Sequence, residues 1–134
     1  MTRFVIDAPT LVHIVDRGIA PDASHQLVGP SRVRSEALEL MLQEVITGVR
    51  DERAALAAHD RMTQVKIRSL GDRVSRSVAW KIARRYGWND LRDAEYLAVA
   101  KLQADALITV DDGFAARARD IVPVADISAL FASG

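Results

Sequence analysis

Two stretches, FVIDAPTLVHIV at residues 4–15 and ALITVDDGFA at residues 106–115, set the fold class of this chain. Each contains an apolar run closed by an aspartate: Phe4-Val5-Ile6 by Asp7, and Ala106-Leu107-Ile108-Thr109-Val110 by Asp111. Runs this short that are apolar at successive positions read as strands buried on both faces. Helix signals follow each one. Pro9 suits a first helical turn and Gly18 stops a helix after about Arg17, while a short helix from Gly113 to Arg119 follows Asp111 and Asp112.

The residues between repeat this alternation. Gly18 to Ser24 is a loop, and Gln26-Leu27-Val28 is a short strand closed by Gly29-Pro30. Ser31 is placed to cap a helix to about Thr47, with Val33, Ala37, Met41 and Val45 as its inner stripe, broadened by Leu38, Leu40 and Leu42. Asp51 opens an alanine-rich helix from Ala54 to Met62. Val65 to Leu70 reads as a strand and Gly71-Asp72 as a turn. A helix from Arg73 to Tyr86 then turns Val74, Val78, Ile82 and Ala83 inward and ends at Gly87. Asn89 or Asp90 caps the next helix, Leu91 to Gln103, and a strand Ile121 to Val124 and a terminal helix Ile127 to Phe131 complete the chain. With no tight hairpin signal, this order predicts a parallel sheet in an α/β/α sandwich, a single compact α/β domain across residues 1–134.

Composition narrows the chemistry. The absence of cysteine excludes disulfides, zinc–thiolate sites and thiol nucleophiles, and is compatible with a reducing, cytoplasmic setting. Eighteen basic residues balance eighteen acidic ones, so no global field recruits nucleic acid or anionic lipid. The run from Phe4 to Val15 is broken by Asp7 and His13, and is expected to be neither a signal peptide nor a membrane span. His13, His25 and His59 lack metal-ligand spacing, and no GxGxxG, GxxxxGK[ST] or GxSxG string occurs. Trp80 and Trp88 are expected to pack against neighbouring helices.

Four acids stand where carboxylates are awkward: Asp7 and Asp111 at strand ends, and Glu36 and Asp93 near the starts of two apolar helices. Each has a plain alternative, because Asp caps helices and acids favour first turns. Asp72 illustrates capping alone, and Asp112 competes with Asp111 for the cap of the short helix from Gly113 and is the preferred cap of the two. Open α/β sheets nevertheless carry their sites outside the carboxyl ends of the strands. Four carboxylates gathered there cannot stay ionised without cations, which points to a divalent metal site and phosphoryl-transfer chemistry. Like-charge crowding predicts that removing divalent ions lowers the melting temperature, and that Asp93→Asn raises it in the apo form.

The chain resembles the PIN-domain nucleases, and most closely the VapC-like ribonuclease toxins of bacterial toxin–antitoxin pairs. FVIDAPTLVHIV around Asp7, SRVRSEALELM around Glu36 and RDAEYLAVAKLQADALITVDDGFA around Asp93 and Asp111 carry the resemblance. The last string is the most specific, with a strand ending Thr-x-Asp eighteen residues after Asp93. The resemblance implies that Asp7, Glu36, Asp93 and Asp111 bind Mg²⁺ or Mn²⁺ and that Thr109 orients the site. One departure is Pro9, where relatives commonly carry Ser, Thr or Asn; Thr10 is then the candidate hydroxyl.

The expected activity is metal-dependent endoribonuclease hydrolysis of tRNA, rRNA or mRNA, leaving 5′-phosphate and 3′-hydroxyl ends. Arg32, Arg34 and Arg92 are candidates to contact the RNA backbone. The resemblance also implies a cognate antitoxin protein and a homodimer. A signalling receiver module fits poorly, because Lys81 and Lys101 both fall in helices. The remaining rival is a catalytically inactive PIN-like module that binds RNA or a partner.

Overall fold

The computed structural model describes residues 1–133. Its elements run β1 (Thr2–Ile6), α1 (Ala8–Arg17), β2 (His25–Gly29), α2 (Val33–Ile46), α3 (Glu52–Met62), β3 (Ile67–Ser69), α4 (Arg73–Tyr86), α5 (Arg92–Gln103), β4 (Ala106–Ile108), α6 (Asp112–Ala118), β5 (Val124–Ala125) and a closing 3₁₀ turn (Ile127–Leu130). The strands form one sheet in the order β3-β2-β1-β4-β5, with every neighbouring pair parallel. Phe4, Val5 and Ile6 lie beside Ala106, Leu107 and Ile108. From β1 the chain first builds outward through β2 and β3, then crosses back to β4 on the other side. Right-handed crossovers consequently place α1, α2 and α3 over one face and α4 and α5 over the other. The packing agrees: α1 lies against α2 and α3, and α4 against α5. The strand order reverses between β1 and β4, and an open α/β sheet offers a ligand its crevice at that point.

The core is apolar on both faces of the sheet. Phe4, Val5, Ile6, Leu27, Val28, Leu107 and Ile108 are buried between Leu11, Ile14 and Val15 of α1 on one side and Leu97 and Val99 of α5 on the other. Helix ends follow their sequence signals. Asp7 caps α1, Gly18 closes it at φ 64°, and Gly87 closes α4 at φ 70°. Asp72 and Ser75 form a reciprocal cap on α4: Ser75 N donates to Asp72 Oδ1 at 2.9 Å, and Asp72 N donates to Ser75 Oγ at 2.8 Å. Asp72→Ala is expected to cost about 1 kcal/mol. A melting temperature lowered by roughly 3–4 °C in thermal unfolding would show it.

Several sequence expectations shift. Leu38, Leu40 and Leu42 do not broaden the inner stripe of α2 but are exposed, while Val33, Ala37 and Met41 are buried. Val74 is also exposed, because α4 turns Ser75, Ala79, Ile82 and Ala83 inward, rotated from the expected stripe. Trp80 is exposed, whereas Trp88 packs against the core. Arg32, not Ser31, is the N-cap of α2, and it gives no side-chain cap. The last strand is Val124–Ala125 instead of 121–124, because Ile121 N and Val122 N still donate to Ala118 O at the unwinding end of α6. Among the described residues, no helix is long and apolar enough to cross a membrane.

Candidate active site

Asp7 leaves β1 at the point where the strand order reverses, and it is 5% exposed. Its Oδ1 accepts from Thr10 N at 3.3 Å and from the Thr10 hydroxyl. Its Oδ2 accepts from Thr109 Oγ1 at 2.6 Å. Thr109 Oγ1 in turn accepts from Asp111 N at 3.1 Å, and Thr10 Oγ1 accepts from Val110 N at 3.1 Å. These bonds end β4 at Ile108, two residues before the expected limit, by drawing Thr109 and Val110 towards α1. Two hydroxyls therefore lock the first acid to the segment that carries the fourth. Thr10 fills the place opened by Pro9, which sits in the first turn of α1 without disturbing it. Burial raises the Asp7 carboxyl above its ordinary value, against the opposing pull of its hydrogen bonds from Thr10 and Thr109.

Asp111 is the N-cap of α6, its Oδ1 accepting from Phe114 N at 3.1 Å. This corrects the assignment of capping to Asp112, which is the first residue of the helix. A Cβ at Gly113 would lie 3.3 Å from Asp111 Oδ1, so the glycine leaves room for that carboxylate.

The other two acids arrive on helices. Glu36 is in the first turn of α2 and is largely buried, and desolvation raises its pKa while Arg32 pulls it down. The charge of Asp93 acts on Glu36 in the raising direction, which places α5's acid in the same neighbourhood. Beneath them is Tyr96 of α5, 1% exposed, a residue that sequence reasoning missed. Its buried hydroxyl is close enough to Glu36 and Asp7 to feel the charges of both. Burial, followed by those two carboxylates, raises its pKa.

Two arginines interrupt the cluster. Arg32 Nε lies 2.8 Å from Glu36 Oε1, and the same guanidinium reaches Glu95. Arg117 of α6 lies 2.8 Å from Asp93 Oδ2. Asp93 is therefore ion-paired, which withdraws the expectation that Asp93→Asn relieves repulsion in the apo protein. Among the described residues, no three acids or histidines converge closely enough to hold one ion. The donor set still suits a hard divalent cation. Two carboxylates desolvated by burial, those of Asp7 and Glu36, gain from one. Of the arginines expected to face RNA, Arg92 is exposed, but Arg34 instead donates to Val65 O at 3.0 Å, beside β3. A cleft of about 460 Å³ lined by Arg32, Asp90, Leu91, Arg92 and Glu95 opens beside the acids. A larger cleft of about 990 Å³ lies at the amino ends of the strands, away from them.

Residues 4–120 match a family model described as PIN domain. The fold is similar to the crystal structure of PAE2754 from Pyrobaculum aerophilum, with a TM-score of 0.71, 20% identity, and coverage of 96% of this chain and 93% of that one. It is also similar to VapBC-1 from nontypeable Haemophilus influenzae, with a TM-score of 0.56, 16% identity, and coverage of 93% and 98% respectively. At these identities the likeness concerns the fold. No curated protein matches the chain in sequence.

Proposed function

The chain belongs to the PIN-domain family, and from that premise we propose that it is a divalent-metal-dependent endoribonuclease acting as the toxin of a toxin–antitoxin pair. PIN domains are generally nucleases. The observation that carries the reading is Asp7, a desolvated carboxylate at the reversal of strand order, bound through Thr109 to the segment bearing Asp111. Asp7, Glu36, Asp93 and Asp111 would hold Mg²⁺ or Mn²⁺. Such a cation acidifies water and neutralises charge developing at phosphorus.

The remaining roles fall to the chain itself. Thr10 and Thr109 fix both oxygens of Asp7 in one orientation. Tyr96 lies buried beneath the acids. Arg92 stands exposed at the start of α5, where a phosphate backbone can meet it. A protein partner has a surface to cover: Leu38, Leu42 and Ile46 form an exposed apolar stripe at i, i+4 and i+8 along α2. We assign this stripe to an antitoxin or a second copy of the chain.

The binding-module reading has one observation in its favour, the pairing of Glu36 and Asp93 with arginines. One experiment separates the two. Purified protein is incubated with total bacterial RNA and Mn²⁺, with EDTA and Asp93→Asn as controls, and new 5′ ends are mapped by sequencing. Discrete ends lost in both controls are the expected result. No cleavage together with no Mn²⁺ binding would favour the binding module.

A further inference from the structure

The acids of this site are already paired with arginines. Arg32, at the start of α2, spans Glu36 and Glu95, acids from two different helices. Arg117 approaches Asp93 from α6, and its guanidinium lies 5.1 Å from the centre of the Trp88 ring and 5.4 Å from that of Phe114. It is thus held between two aromatic faces and aimed at one carboxylate. Both guanidiniums are nearly half exposed, with side-chain exposures of 43% and 45%, so each has solvent to move into.

We propose that Arg32 and Arg117 are resident counter-cations of the acidic edge, which give up Glu36, Glu95 and Asp93 when a divalent cation enters. This rests on the metal-site reading above. Exposed pairs of this kind hold weakly, so a dication meeting several carboxylates can displace them. Arg117 needs only to pivot on Trp88 and Phe114, and Arg32 only to swing out towards the cleft at Asp90 and Arg92.

Competition has a measurable sign. Removing either guanidinium removes a competitor, so Mn²⁺ should bind about fivefold more tightly to Arg32→Gln and to Arg117→Gln than to the wild type. Arg119→Gln is the control. It makes the same change in net charge on the same stretch of chain as Arg117, and among the described residues its side chain has no ion pair or hydrogen bond. Calorimetry would read the affinities, with circular dichroism confirming that each variant is folded.

A second readout is spectroscopic. Trp80 is exposed, so Trp80→Phe leaves Trp88 as the only tryptophan, in contact with Arg117. Mg²⁺ should shift Trp88 emission in that variant, and the shift should vanish when Arg117→Gln is added. Equal Mn²⁺ affinity in wild type, Arg32→Gln and Arg117→Gln would overturn the exchange and leave the nuclease reading standing. Equal tightening in Arg119→Gln would also overturn it, by showing an effect of net charge alone. Wild type that binds no Mn²⁺, with binding also absent in all three variants, would overturn the metal site itself.

Discussion

Asp7→Asn is expected to lower RNA cleavage by about 10³-fold or more while raising the thermal stability of the cation-free protein at neutral pH. Both effects come from the same burial. The carboxylate supplies charge that an amide cannot, so the activity loss should appear as loss of Mn²⁺ binding by calorimetry. The stability gain follows from linkage. Burial raises the folded-state pKa of Asp7 above its ordinary value of 3.8, so the folded chain binds the proton more tightly than the unfolded one. Stability therefore falls as pH rises from that ordinary value through the raised one, and the penalty persists at neutral pH. Asparagine removes it: its side-chain oxygen can keep the cap to Thr10 N, and its amide can donate to Thr109 Oγ1. The gain, on the order of 1 kcal/mol, should shrink and disappear as pH is lowered below the ordinary carboxylate range. Melting curves at pH 7 and pH 3 would check it. A stability difference of the same size at both pH values would remove the electrostatic explanation.

Leu107→Ala is expected to cost about 3 kcal/mol, lowering the melting temperature by roughly 10 °C. Leu107 is fully buried in the middle of β4, paired with Val5 on one side and Val124 on the other. Urea unfolding should show a lower midpoint with an unchanged slope. Below the melting transition Mn²⁺ affinity should persist, because Thr109 is tied to Asp7 by its own hydrogen bond rather than by β4 alone.

The fold was legible because short apolar runs punctuated by glycine and aspartate have few alternative readings. Asp7, Asp72, Gly18 and Gly87 each punctuate the chain where the residue chemistry placed them. Helix phase was harder to read. With Leu38, Leu40, Leu42 and Ile46 around Val33, Ala37 and Met41, α2 is apolar on nearly every side, and its pattern does not mark the buried face. The choice between Asp111 and Asp112 turns on a single residue of helix register, which composition does not encode.

The candidate site was legible as a set of acids and illegible as a set of contacts. The hydroxyl of Thr109 on Asp7 agrees with the role implied by family resemblance. The pairings of Arg32 with Glu95 and of Arg117 with Asp93 join residues 63 and 24 positions apart, and no local spacing announces them. Tyr96 is hidden for a different reason. In the run from Ala94 to Ala100 it looks like one more core residue of a buried helix.

The hydrogen bond from Thr109 to Asp7 spans 102 residues of chain. On a ribosome adding roughly 5–20 residues per second, those ends are made several seconds apart. Strand β1 can pair with β2 early, but its other neighbour, β4, comes late in the sequence. An interrupted translation product that stops short of residue 106 carries Asp7, Glu36 and Asp93 without the segment whose Thr109 holds Asp7. Such a fragment would be an open, protease-sensitive sheet edge with no assembled acidic crevice. The order of synthesis alone would leave unfinished chains without the bond that holds Asp7.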